Sequence, residues 1–145
     1  MFSKILVGTD GSETAVRALK SACDLTKTCN AELHIVHVPR PETVAFALGA
    51  MAGYHVATTI PSPEETEDAA QRVLQHAKEA ASVPVATARV LHGEPGDETV
   101  SYAKEIGADL IVTGRRGLGN LAGMVLGSTS QRIMHIAPCA VLTLP

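Results

Sequence analysis

The chain has 145 residues, 46% apolar and 19% charged, with a net charge of −3. That length suits one domain over residues 1–145, with a core burying roughly 70% of the unfolded surface. The slight acidity excludes a broad basic field for nucleic acid, and an aromatic content of 3% without Trp excludes base-stacking platforms for single strands.

Taken in chain order, the apolar period switches repeatedly. Residues 4–9 read as a buried strand built on Ile5, Leu6 and Val7, and it ends in Thr9-Asp10-Gly11-Ser12. Residues 12–28 read as a helix with Ser12 as N-cap and a stripe of Ala15, Leu19, Ala22, Cys23 and Thr26, with Val16 alongside. A second strand follows at 31–38. The connection 39–61 is long and broken by Gly and Pro, with a short helix expected at 43–51; connections of that length are often functional. Ser62-Pro63-Glu64-Glu65 is a capping box that starts a helix running to about residue 81, burying Ala70, Val73, Leu74, Ala77 and Ala81. A third strand is expected at 84–91. A third helix starts at Pro95 or Asp97, turns Val100, Ala103 and Ile106 inward, and stops at Gly107. Residues 109–113 form a fourth strand, 129–137 a last helix and 139–144 a fifth strand.

Strands alternating with helices predict right-handed βαβ units and a mostly parallel sheet covered on both faces. In such sheets ligands bind beyond the carboxyl ends of strands, where the strand order reverses. Strand four ends in Gly114-Arg115-Arg116-Gly117, followed by nine residues and Gly127-Ser128 at a helix start. Glycine lets backbone amides approach an anion closely, and a helix N-terminus adds unpaired N–H groups and a positive dipole end. This is the pattern of a phosphate cradle, and a bulkier residue at position 127 should block it. If strands one and four are neighbours, Asp10 and the cradle share one crevice, enough for the two ends of a nucleotide. Arg115 and Arg116 are open to two readings: charge-assisted contact with a triphosphate, or solvated loop charges.

The three cysteines, Cys23, Cys29 and Cys139, lack a CxxC spacing and read as buried free thiols of a reducing cytoplasm. The first apolar run is too short for a signal peptide, and no stretch approaches the ~18 apolar residues that span a bilayer. The expected location is therefore cytoplasmic, without membrane insertion. The histidines His34, His37, His55, His76, His92 and His135 are scattered, and His34 and His37 fall on opposite strand faces, so no metal site is expected. Arg89, His92 and Glu94 could approach the rim of the crevice without an assignable role.

The chain resembles a universal stress protein of the nucleotide-binding branch. The resemblance spans nearly the whole sequence: Ile5-Leu6-Val7-Gly8-Thr9-Asp10-Gly11-Ser12, His37-Val38, Gly93-Glu94-Pro95, Ala108-Asp109-Leu110-Ile111-Val112, the Gly-x2-Gly-x9-Gly-Ser spacing, and Ala137-Pro138-Cys139-Ala140-Val141-Leu142. It implies a three-layer, Rossmann-like α/β sandwich of the adenine-nucleotide alpha-hydrolase type, with five parallel strands in the order 3-2-1-4-5. It implies ATP, or ADP or AMP, at the strand 1/4 switch point. Gly114, Gly117, Gly127, Ser128 and Thr129 would line ribose and phosphates, and Gly8, Thr9, Asp10 and Val38 would face the adenosine. A carboxylate beside a triphosphate is repelled unless a cation intervenes, so Asp10 is assigned to the adenosine end. Mg²⁺ held through phosphate oxygens is compatible with that arrangement. The resemblance further implies a homodimer paired through residues 140–144, which would satisfy an exposed sheet edge. The protein partner and the triggering stress are not specified by the sequence.

No Walker lysine is present, and no base is paired with a nucleophile, so binding without fast turnover is expected and no catalytic residue is assigned. The alternative is a slow ATPase, or an autophosphorylating enzyme accepting phosphate at Ser128, Thr129 or Ser130. A flavodoxin-like or receiver-like reading is weaker, because aromatics are few and the paired acids and final lysine of a receiver are missing.

Overall fold

The computed structural model describes residues 1–40, 60–117 and 126–145. The helix expected at 43–51 lies outside them, as do residues 118–125 of the glycine loop. Strands β1 (Lys4–Gly8), β2 (Glu32–His37), β3 (Val85–Val90), β4 (Leu110–Gly114) and β5 (Ala140–Leu144) form one parallel sheet in the order β3-β2-β1-β4-β5. The described helices are α1 (Glu13–Cys29), α2 (Pro63–Ala80), α3 (Pro95–Ile106) and α4 (Ser128–Ile136).

Local chemistry sets these boundaries. The Ser12 hydroxyl accepts from the Ala15 N–H to start α1. The helix continues to Cys29 because Asn30 adopts the left-handed conformation (φ 53°), and its N–H caps the Thr26 carbonyl. Ser62 and Glu65 form the expected reciprocal box at α2. Pro95 rather than Asp97 opens α3, and Gly107 closes it at φ 65°.

Strand alternation then divides the core in two. Ile5, Val7, Leu33, Ile35 and Val112 face α1 and α2, where they meet Leu19, Cys23 and Leu74. Leu6, Val36 and Ile111 face α3 and α4, where they meet Val100, Ala103 and Ile133. Burying each large aliphatic contributes about 1.5–3 kcal/mol. Val16 does not join the α1 stripe. It is 49% exposed, because one residue beyond Ala15 is a 100° turn away from the sheet.

Because β2 and β3 extend from one side of β1, and β4 and β5 from the other, the chain reverses direction between β1 and β4. Gly8 pairs with Thr113 in that seam, so the carboxyl ends of both strands open at one point.

Candidate functional site

At that point lies a cleft open to solvent. Gly8, Thr9 and Asp10 at and just after the end of β1, Val38 after β2, Gly114, Arg115, Arg116 and Gly117 at and just after the end of β4, and Gly127, Ser128 and Thr129 at the start of α4 all line it. Residues from four separate stretches of sequence are thus brought together.

Each wall is fixed by hydrogen bonds. The Asp10 carboxylate accepts from the Ser12 N–H (2.9 Å), and the Thr9 hydroxyl from the Gly11 N–H (3.3 Å), so the turn after β1 is held by its own side chains. Gly11 sits there at φ 80°, a conformation that favours glycine. On the facing wall, the Arg115 N–H donates to the Leu144 carbonyl (2.6 Å). The Arg115 carbonyl accepts from the Gly127 N–H (2.7 Å) and from the Ser130 hydroxyl (2.8 Å). The Thr14 hydroxyl donates to the Arg116 carbonyl, tying α1 to the same loop. The two ends of the glycine loop therefore meet at its base.

The three motif glycines differ in what they do. A Cβ at Gly114 would lie 2.9 Å from the Thr14 carbonyl carbon, and one at Gly117 would strike the Asp10 carboxylate. Packing of β4 against α1 demands the first, and the second lies against the Asp10 side chain. A Cβ at Gly127 would meet only ordinary contacts at 3.4 Å and beyond, and its φ is −73°. Nothing within the described protein requires glycine at that position.

Electrostatics favour an anion at one end of the cleft. Gly127 is the N-cap of α4 and has no side chain with which to close the first turn, whereas Ser12 and Ser62 close α1 and α2. Arg115 Nε is buried without a hydrogen-bond partner among the described residues. Open helix amides and an orphaned guanidinium nitrogen fit a phosphate-bearing ligand. Ser130 does not face such a ligand freely. It is 2% exposed, and its hydroxyl is engaged by the Arg115 and Gly127 carbonyls. Of the three hydroxyls considered as phosphoryl acceptors, Ser128 and Thr129 remain.

Three residues of the cleft carry roles that the sequence did not assign. His37 Nδ1 lies 2.7 Å from the Thr9 carbonyl. A carbonyl only accepts, so Nδ1 carries the proton. Burial pushes the His37 pKa below 6.5, against the Thr9 hydrogen bond and the Asp10 charge, so the ring is held neutral. The strand alternation marks His37 as inward-facing, but only the return of Thr9 toward β2 supplies its partner. Val73, assigned to the α2 core stripe, lines the cleft and packs 3.7 Å from the Cβ position of Gly11. Arg40, beyond any periodic signal, donates to the Thr129 hydroxyl (3.4 Å) across 89 residues of sequence. Arg89 and His92 are engaged elsewhere, with Glu105 and Glu67 respectively.

Comparison with known proteins agrees with this architecture. The pattern of the universal stress protein family matches residues 1–145. The chain is 37% identical to universal stress protein YxiE of Bacillus subtilis over 147 residues, covering 98% of each chain. A solved universal stress protein in complex with cAMP superposes with a TM-score of 0.64 at 27% identity, over 99% of this chain and 96% of that one. The Archaeoglobus fulgidus universal stress protein in complex with dAMP gives a TM-score of 0.70 over 99% and 98%. At 21% identity that second likeness concerns the fold.

Proposed function

The chain belongs to the universal stress protein family, and we propose that its cleft binds an adenine nucleotide, ATP or its relatives ADP and AMP. The observation that carries this reading is the convergence of 8–10, 38 and 114–117 on the open N-terminus of α4. The related structure with cAMP supports the ligand class.

In this reading the phosphates lie against Gly127, Ser128 and Thr129, with Arg115 or Arg116 supplying charge. The adenosine lies between Gly8, Thr9, Asp10 and Val38. Mg²⁺ is carried by phosphate oxygens. The nucleotide brings phosphate charge to the cleft; this chain's residues bind and orient it, and none is assigned to its hydrolysis. The protein acts as a nucleotide-dependent stress-response module in the cytoplasm, with occupancy of the cleft changing a surface that a protein partner reads. Strand β5, which pairs only with β4 among the described strands and keeps Val141 and Leu142 half-buried, supports a homodimer formed through residues 140–144. No described helix is long and apolar enough to cross a membrane.

The test is to purify the protein without added nucleotide, denature it, identify released small molecules by mass spectrometry, and record melting with Mg-ATP. At 100 times Kd, stabilisation is about 2.7 kcal/mol, a rise of roughly 5–10 °C. Absence of both a released nucleotide and a melting shift overturns the reading. Turnover near ~1 s⁻¹ would instead make the protein an ATPase.

A further inference from the structure

Arg40 is a cleft residue with a long, exposed ionic contact. Its Nη2 lies 3.8 Å from Glu94 Oε2, beyond hydrogen-bond distance, and the Glu94 side chain is 79% exposed. Its hydrogen bond goes instead to the Thr129 hydroxyl in the first turn of α4 (3.4 Å), a long contact between two cleft-lining residues. Arg132 on the same helix offers a contrast. It closes on Asp97 with two bonds of 2.8 and 3.1 Å, the geometry of a committed structural pair. An exposed pair at 3.8 Å contributes little, so exchanging it for another anion costs little.

The geometry around Arg40 has a direction. Arg40 enters from the end of β2, while Arg115 and Arg116 enter from the end of β4, and α4 opens between them. A guanidinium only donates, so Thr129 accepts from Arg40 with its oxygen and keeps its own hydroxyl proton to donate. An anion at the first turn of α4 would meet Thr129 as a donor and Arg40 as a charge, from the wall opposite the glycine loop.

Resting on the nucleotide reading above, we infer that Arg40 is a specificity-determining residue that reads phosphate charge, leaving Glu94 for the ligand when a nucleotide binds. Adenosine gains nothing from Arg40, and the gain rises from AMP to ATP. Glu94 is the internal competitor that holds the charge in place when no anion is present.

The test is displacement of a ribose-labelled fluorescent ATP by adenosine, AMP, ADP and ATP, on wild type, Arg40→Gln and Glu94→Gln, at two salt concentrations. Arg40→Gln should weaken ATP about tenfold and adenosine less than twofold, and should flatten the salt dependence of ATP binding. Glu94→Gln should tighten ATP about twofold, a gain that a merely structural pair would not give. Equal losses for adenosine and ATP in Arg40→Gln, or no loss while wild type binds, overturn the role of Arg40 and leave the nucleotide reading standing. A wild type that binds neither the probe nor any competitor overturns both. Melting of Arg40→Gln without ligand, matched to wild type, excludes misfolding as the cause.

Discussion

The two ends of the β1–β4 seam are built from the same pair of strands and are opposite in character. At the amino end the side chains of Asp109 and Lys4 are turned to internal use. The Asp109 carboxylate accepts from the Ser3 and Lys4 N–H groups (2.6 and 2.9 Å), and Lys4 Nζ donates to the Ile106 carbonyl (3.0 Å). At the carboxyl end, Gly127 leaves α4 without a side-chain cap and Arg115 Nε lacks a partner among the described residues. A satisfied end contributes to stability, and an unsatisfied end holds its hydrogen bonds in reserve for something else. Mutations at the first should move the melting temperature alone, and well-chosen mutations at the second should move ligand affinity alone.

The hardest test of that division is Gly114→Ala, which lies at the open end and yet should destabilise. Its Cβ runs into the backbone of Thr14, costing about 2–3 kcal/mol and lowering the melting temperature on the order of 10 °C. Gly127→Ala should do the reverse, changing stability by less than about 1 kcal/mol while weakening nucleotide binding at least about tenfold. If the two variants behaved alike in calorimetry and titration, the separation of the glycines would fail.

The ends also titrate differently. His37 has a lowered pKa in the folded protein, so above pH 6.5 its contribution is intact, and stability falls as pH drops below 6.5 and the unfolded chain binds the extra proton. In His37→Gln that part of the slope should vanish from denaturant titrations run across the window. Asp109 is lowered by the Lys4 and Ser3 hydrogen bonds, so its contribution is present above pH 3.8 and is lost as pH falls below it. Asp109→Asn should therefore melt lower than wild type at pH 7, by a margin that narrows in acid, with nucleotide affinity unmoved. This is the smallest effect, because the group is exposed.

Much of this was legible beforehand, for reasons that can be named. The Ile5-Leu6-Val7 and Leu110-Ile111-Val112 runs are long enough to mark buried parallel strands, and the Ser62 box and Gly107 stop are local chemistry that no tertiary contact overrides. Val16 was misplaced because a helical stripe read from sequence has soft margins. The glycine spacing marked the cleft but could not tell Gly114 and Gly117, which fit Thr14 and Asp10, from Gly127, which fits neither. That distinction lives in distances between residues about a hundred positions apart. Arg40 was invisible for the same reason, since its partners Thr129 and Glu94 belong to other elements.

The backbone of one residue carries a consequence larger than its size. The N–H of Arg115 is spent on the outermost strand through Leu144, and its carbonyl is spent on the loop's return and on α4. A displacement at the floor of the cleft therefore pulls directly on the rim of the sheet, with no intervening side chain to absorb it. In engineering terms Arg115 is a shared hinge pin: the cavity and the edge cannot be re-machined separately at that point.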